Sequence, residues 1–472
     1  MLIDTRDPAF AEFLEEWKIN RALIKGERAV KKRGCQLFLP RDPSMTDDAA
    51  YENFKKRTPF FPGASKAFEN HRALATRKPA TITAPANTLD ILNTITAKGF
   101  TLDKLADKLF AELLITNFVA LVVDYPEGVG QVSQAQAIEL GVRPFISMFT
   151  AESILGIETA TINNRQRVTR VRLFDNDSAT VIRELRLDDG VYRVNIWTQT
   201  RGQWQLTKSI TPTKGRNAET LDEIPFSLVA TEETFEPIKA PLADVCSLNA
   251  QLYIAQSNLA QCHFWSCSPI PYVIKKLAEG EGEISIAPGM VWRFDCDPKE
   301  AVVGFLEWNG GQINELRLEV ESLKADMAKV GGRMLADDKR VAEAAETEAI
   351  RRAAENAVVA NFIRSRDHGL NDSLAWVSWF LDLPEDAITY EGSTDFNAIP
   401  LTAQDWAFRK SLRDGRDLSK NKWFDMLQAN DVLPTNFDRE ANERELSEEV
   451  ADMPPVMTVP FADPEQDDEP TS

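Results

Sequence analysis

Histidine is nearly missing from this chain of 472 residues: His71, His263 and His368 are all it has. So thin a supply argues against a His-rich metal site or a His-dependent hydrolase. Cysteine is little commoner, with Cys35, Cys246, Cys262, Cys267 and Cys296, an odd number without a Cys-x-x-Cys pair. A disulfide framework and a zinc site are therefore not expected, and the residues read as reduced thiols of a cytosolic protein. No apolar run reaches the roughly 20 residues of a membrane span. Met1-Leu2-Ile3-Asp4-Thr5-Arg6-Asp7 also lacks the basic-then-apolar order of a secretory leader. Synthesis in the cytosol, with no membrane partner, is the expectation.

Catalytic signatures are equally scarce. There is no Gly-x-x-x-x-Gly-Lys-Ser/Thr phosphate loop, no Gly-x-Ser-x-Gly elbow and no His-Glu-x-x-His helix. Gly128-Val129-Gly130 lacks the third glycine of a dinucleotide site and reads as a turn. His263, between Cys262 and the aromatic pair Phe264-Trp265, reads as a packing histidine. No catalytic residue, cofactor or metal is expected.

What the chain does have is negative charge, a formal −19. An acidic protein does not draw DNA through its overall field, so any contact with DNA is local, or the protein surrounds DNA without gripping it. Hydrophobic content of 43% with 27% charged residues is that of a folded protein, and the length implies two or more domains.

Helical spacing opens the chain over 8–33, where Phe10, Phe13, Leu14, Trp17, Ala22 and Leu23 recur and Lys31-Lys32-Arg33-Gly34 closes the run. Short helices follow over 51–57 and 64–78. Leu102 to Asn117 is amphipathic and runs into Phe118 to Val123, a continuous apolar strand ended by Pro126. Phe145 to Phe149 is another strand. From about 154 to 230 the period changes to two, with turn signals at Asp188-Asp189-Gly190 and Arg201-Gly202, predicting an antiparallel meander.

A helix over Pro241–Phe264 is stopped by Pro269 and Pro271. Short strands are expected at Tyr272–Ile274, Ile284–Ile286, Val291–Phe294 and Val302–Leu306. The cleanest pattern comes next. Ile313, Leu316, Val320, Leu323, Met327 and Val330 alternate spacings of three and four before Gly331-Gly332, a narrow heptad stripe. Such a stripe is either covered within one monomer or packs against copies of itself. Residues 341–363 are helical and rich in alanine, too poor in apolar area to stand without close neighbours. Leu374, Trp376, Val377, Trp379, Phe380 and Leu381 give that helix a bulky end. Between the two helices, Arg333, Lys339 and Arg340 make a glycine-led loop locally basic. It is either a plain solvated loop or a place where phosphate touches lightly. Two further helices are expected, one capped by Thr402 and one starting at Asp417-Leu418-Ser419. From Asp438 onward acid and proline predominate, which predicts disorder.

Several passages, taken in order, carry a resemblance. They are Trp17, Arg21-Ala22-Leu23-Ile24-Lys25-Gly26, Phe38-Leu39-Pro40, Tyr51 and Arg57; then Leu121-Val122-Val123-Asp124-Tyr125-Pro126, Arg143-Pro144-Phe145 and Ala151-Glu152-Ser153-Ile154. Ile224-Pro225-Phe226, Pro241-Leu242-Ala243-Asp244 and Leu248-Asn249 follow. Last come Phe305-Leu306-Glu307-Trp308-Asn309-Gly310 and Glu343-Ala344-Ala345-Glu346. Together they resemble the portal proteins of tailed bacteriophages, in particular a divergent portal-like family of unknown function.

That resemblance implies an α+β ring subunit, commonly dodecameric, at one capsid vertex of the virion, assembled in the host cytoplasm. Residues 1–240 would form a mixed wing, 241–267 and 310–330 the two stem helices, and 268–309 a short clip. Residues 331–342 would be the tunnel loop, 343–392 the channel helix, 393–445 a small helical crown and 446–472 a disordered acidic tail. The implied partners are sister subunits, the terminase large subunit, a head–tail adaptor, major capsid and scaffold proteins, and double-stranded DNA in passage. Arg333, Lys339 and Arg340 would touch that DNA; Ile313, Leu316, Val320, Leu323, Met327 and Val330 would pack subunits. An acidic channel suits a duplex that must slide, since each phosphate contact strengthens the hold. Two rivals stand beside this reading: another head–tail adaptor or minor capsid protein, and a cytosolic hydrolase using Asp124 and Glu127.

Overall fold

The computed structural model describes residues 2–33, 37–41, 45, 47–125, 143–162, 164–176, 178–214, 219–266, 270–275, 301–306, 312–331, 345–394, 396, 403–429, 432–433 and 437–451. They fall into two units, Met1–Thr394 and Asp395–Ser472. The fold is α+β: helices and antiparallel sheets alternate in blocks, and every pair of named strands is antiparallel.

The first helix, α1 (Pro8–Lys25), starts on a proline that its first turn tolerates. It buries Phe10, Trp17, Leu23 and Ile24. The single helix expected over 8–33 is in fact two. Gly26 takes φ +86°, open only to glycine at no cost, and its N–H closes α1 on the carbonyls of Ala22 and Leu23. The chain then restarts as α2 (Glu27–Arg33). Next come α3 (Asp48–Arg57), whose Asp47 side chain accepts from Ala49 N, and α4 (Gly63–Ala75). Strand β1 (Thr81–Thr83) and the single turn α5 (Leu89–Leu92) lead to α6 (Leu102–Thr116). Thr101 caps α6, and Asn117 ends it in the left-handed region at φ 55°.

Strand β2 (Val119–Asp124) is buried along five successive residues, as its unbroken apolar run requires. It lies between β3 (Phe145–Thr150) and the late strand β11 (Phe226–Val229). The predicted meander is a five-stranded sheet in sequence order: β4 (Ile154–Ile162), β5 (Arg165–Phe174), β6 (Val181–Asp188), β7 (Val191–Thr200) and β8 (Gln203–Ile210). Its hairpins turn where expected. Asp189-Gly190 and Arg201-Gly202 all have positive φ, the geometry that matches the twist of paired strands. A small ribbon, β9 (Thr213–Lys214) with β10 (Glu219–Thr220), follows.

The later elements are α7 (Ala243–Ser266), β12 (Ile270–Lys275), β13 (Ala301–Leu306), α8 (Ile313–Val330), the 36-residue α9 (Ala345–Phe380) and β14 (Thr389–Glu391), which pairs with β1. The expected strands at Ile284–Ile286 and Val291–Phe294 lie outside the described residues. The core joins α1, α6, β2, β3, the inner face of the meander and the second half of α9 through Leu370, Leu374, Val377 and Phe380. From Val359 onward, α9 therefore finds the neighbours its alanines need within its own unit.

The second unit holds α10 (Ala403–Asp414), α11 (Lys420–Ala429) and α12 (Arg439–Ala451). Trp406 and Trp423 meet edge to face at 6.3 Å, and Phe424 lies 5.6 Å from Phe437. Thr402 lies outside the described residues. The expectation of disorder from Asp438 onward is corrected at its start, because α12 runs to Ala451. The Asp438 carboxylate accepts from the N–H groups of Glu440 and Ala441, a cap followed by strong helix formers.

Candidate functional site

The heptad stripe lies on α8, and the structure shows what covers it. Helices α7 and α8, joined in sequence through the β12–β13 ribbon, pack against each other. On the stripe, Val320 and Met327 are buried, while Ile313, Leu316 and Leu323 are half-buried and Val330 is 53% exposed. Leu318, off the stripe, is 64% exposed. Met327 sits over the first turn of α4, where its Cε fills the space a side chain at Gly63 would need. Lys324 holds its ammonium 5.2 Å from the Phe61 ring centre. The stripe is thus partly met from within the chain. Its last residue, Val330, is left to solvent, as is Leu318 on the opposite side of the helix.

Helix α7 is fastened to the start of α4 by a side chain that patterning does not reveal. Asn249 is fully buried; its Oδ1 accepts from Ala64 N at 2.8 Å and its Nδ2 donates to Phe61 O at 3.0 Å. Further along, α7 exposes Ile254, and the Arg57 guanidinium lies 3.7 Å over the Phe264 ring. His263 is exposed, which corrects its reading as a packing histidine: it stands in the last turns of α7, where residue 264 is exposed too. The three loop cations Arg333, Lys339 and Arg340 lie outside the described residues, as do Glu127 and the Gly128-Val129-Gly130 turn.

Asp124, the other half of the hydrolase pair, is committed elsewhere. Its Oδ2 accepts from Arg183 Nη1 at 2.7 Å and from Ser147 Oγ at 3.1 Å. Arg183 also reaches Asp175 at 3.2 Å. Burial pushes the Asp124 carboxyl above the usual range even with Arg183 opposing it, and burial likewise pushes the nearby Tyr192 hydroxyl up. The cluster ties β2 and β3 to β6. A carboxylate held by a guanidinium and a hydroxyl in this way is poorly placed to take a proton from a substrate.

Two more ionic joints, the first half-buried and the second built on a buried arginine, tie the N-terminal segment and α1 to the rest of this unit. Arg21 forks between Glu112, at 2.7 Å, and Glu152, at 2.5 Å. Arg172, 1% exposed, gathers the N-terminal segment by donating to Thr5 O and to Asp7 Oδ1. Among the described residues, no group of three or more His, Cys, Asp and Glu is placed to hold a metal ion, and no helix is long and apolar enough to cross a membrane.

A search of curated proteins finds no match. Among solved structures, the chain is similar to a chain described as the neck of an empty GTA particle computed with C6 symmetry. That likeness has 12% identity and a TM-score of 0.36, covering 83% of this chain and 92% of that one. It is similar also to a chain from the neck of a native GTA particle computed with C12 symmetry, at 12% identity and TM-score 0.37, covering 88% and 95%. One family model matches: residues 241–381, the span holding α7, the β-ribbon, α8 and α9, fit a domain of unknown function, DUF4055.

Proposed function

We propose that this chain is a structural protein of a tailed-phage particle and, within that class, its portal subunit: a ring through which DNA passes during packaging, retention and ejection. One observation carries the reading. The α7–α8 pair has its own attachment to the wing through Asn249 and Met327, yet leaves Ile254, Leu318 and Val330 facing water. Exposed apolar side chains on a helix pair that is already anchored are available to a repeated subunit contact. The element order supports the same reading, with a mixed wing before the helix pair, a ribbon between its helices and a long helix after it. The net charge of −19 suits a wall that must not hold phosphate.

On this reading the protein is not an enzyme and hydrolysis of ATP belongs to a separate terminase. The chain docks the terminase large subunit first and a head–tail adaptor later, and meets capsid and scaffold proteins at the vertex. Arg333, Lys339 and Arg340 steady the duplex. Native mass measurement of the purified protein tests the proposal. A closed ring of about a dozen chains is expected; a smaller open oligomer returns the adaptor reading, and a compact monomer ends both.

A further inference from the structure

Positive charge is not spread evenly over this acidic chain. Residues 18–57 carry eleven Lys and Arg against five Asp and Glu, while the chain as a whole carries 54 against 73. The fold concentrates that excess further. The last turn of α2 brings Lys31, Lys32 and Arg33, and the last turn of α3 brings Lys55, Lys56 and Arg57. Between α1, α2 and α3 lies a cleft of about 760 Å³ whose lining includes Lys25, Lys32, Arg33, Arg41 and Lys55 against two acids, Asp48 and Glu52.

Part of this charge is neutralised internally. Arg41 pairs with Asp48 and Lys55 with Glu52, and both cations also lie over the Tyr51 ring. Arg21, on the same wall, is spent on Glu112 and Glu152. Among the described residues, Lys25, Lys32 and Arg33, exposed on the lining, have no ion-pair or hydrogen-bond partner, nor does the neighbouring Arg28. The dipoles of α1 and α2 favour cations at their C-terminal ends and so account for some of these. They do not account for Arg28, which stands in the first turn of α2 where the dipole opposes it. Like charges gathered without partners repel one another, and an anion placed among them relieves that repulsion.

We propose that this cleft is a sequence-independent site for the phosphate backbone of nucleic acid, separate from the channel loop. The lining selects between anionic partners. A protein partner gains most of its affinity from apolar anchors in dry pockets. Here the uncharged lining is Ala22, Ala29 and a Tyr51 ring already occupied by two cations. Among the described residues the lining has no Asn or Gln for a bidentate contact to adenine. What remains is cationic and suits a repeating charge such as the phosphate chain. The inference does not depend on the chain forming a ring.

The test is fluorescence anisotropy of the full chain with a labelled duplex of about 30 base pairs across a salt series; the log–log slope falls by about 0.9 for each phosphate contact removed. The triple variant Lys25→Glu, Lys32→Glu, Arg33→Glu is expected to weaken binding at least about tenfold and to flatten the slope by about three. Exposed Arg165→Glu, Arg193→Glu and Arg201→Glu together serve as the charge-matched control and leave the slope unchanged. If the triple variant fails to fold, Lys32→Gln with Arg33→Gln carries the test, and the slope then flattens by about two. An unchanged slope in the folded variant overturns the proposal. So does a strong preference between duplexes of different sequence, or displacement of DNA by poly-glutamate at equal charge. Assembly mass on the same samples separates the two readings. A ring whose slope ignores the cleft variants sinks the cleft alone; a monomer that binds through them sinks the portal alone.

Discussion

Asn249, in the second turn of α7, holds the backbone at the start of α4 with both ends of its amide, accepting from Ala64 N and donating to Phe61 O. The partners are separated from it by 185 and 188 residues, so the bond pair fixes where α7 meets the start of α4. Asn249→Leu keeps the volume and leaves a donor and an acceptor unmatched. A loss of about 2–3 kcal/mol is expected, read by chemical denaturation with the slope of the transition unchanged.

Arg21 sets a pH dependence. Burial works to raise the Glu152 carboxyl, but the hydrogen bonds and charge of Arg21 outweigh it and hold the group below its ordinary value. A carboxyl depressed in the folded state contributes stability above its unfolded pKa and loses it as pH falls through the folded one. The folded protein should therefore lose stability below about pH 4.5, the ordinary Glu value, and Arg21→Met should lose that part of the acid dependence. At neutral pH the same variant leaves Glu112 and Glu152 facing each other in a mostly buried site, at a cost of about 3–5 kcal/mol. Thermal melts of both proteins between pH 3 and 7 check the two effects together.

Which parts of this could be read from the chain follows from how far each signal reaches. The meander was legible because alternation and the Asp189-Gly190 and Arg201-Gly202 turns are local, and β2 because a run such as Val119–Val123 has no other economical place. The break at Gly26 was not, since apolar spacing continues across it from Leu23 to Val30. Helix α12 was hidden because acidic composition masks the Asp438 cap. The role of Asn249 was hidden because a polar residue on an apolar stripe does not announce a partner so distant in sequence. The cations of α2 and α3 were visible only as helix ends; that they share one cleft is tertiary information. The heptad stripe was legible as a helix, but its division between Met327, covered, and Val330, exposed, depends on where α4 lies.

Gly369 tests the seating of the long helix. A Cβ placed there would stand 2.7 Å from Val229 Cγ2 and 3.3 Å from Leu228 O, so α9 lies directly on β11. Alanine gains about 1 kcal/mol of helix propensity over glycine, which is the result expected if the site were open. Overpacking against a β-branched side chain and a fixed carbonyl typically costs about 1–3 kcal/mol. Gly369→Ala should therefore come out neutral to destabilised by about 2 kcal/mol, and the double variant with Val229→Ala should recover part of the loss. A clear stabilisation by the single substitution would show that α9 is not seated on β11 this closely.

Val330, at the end of the α8 stripe, and Leu318, on the opposite side of that helix, test whether sister copies meet on α8. Both side chains are more than half exposed in the single chain, so charging them removes almost nothing from its own core. Leu318→Glu with Val330→Glu should leave the melting temperature of an isolated subunit within the range of ordinary surface changes, about 0.5 kcal/mol each way. In a ring the same positions would be desolvated against the neighbouring copy, and each unpaired carboxylate would oppose assembly. The expected outcome is a folded protein whose native mass falls from the ring to single chains. Val320→Glu and Met327→Glu, at positions α4 and α7 already bury, should instead unfold the helix pair whatever the oligomeric state. If the exposed pair can be charged without any change in assembly mass, sister copies do not meet at these positions of α8, and the ring must close elsewhere.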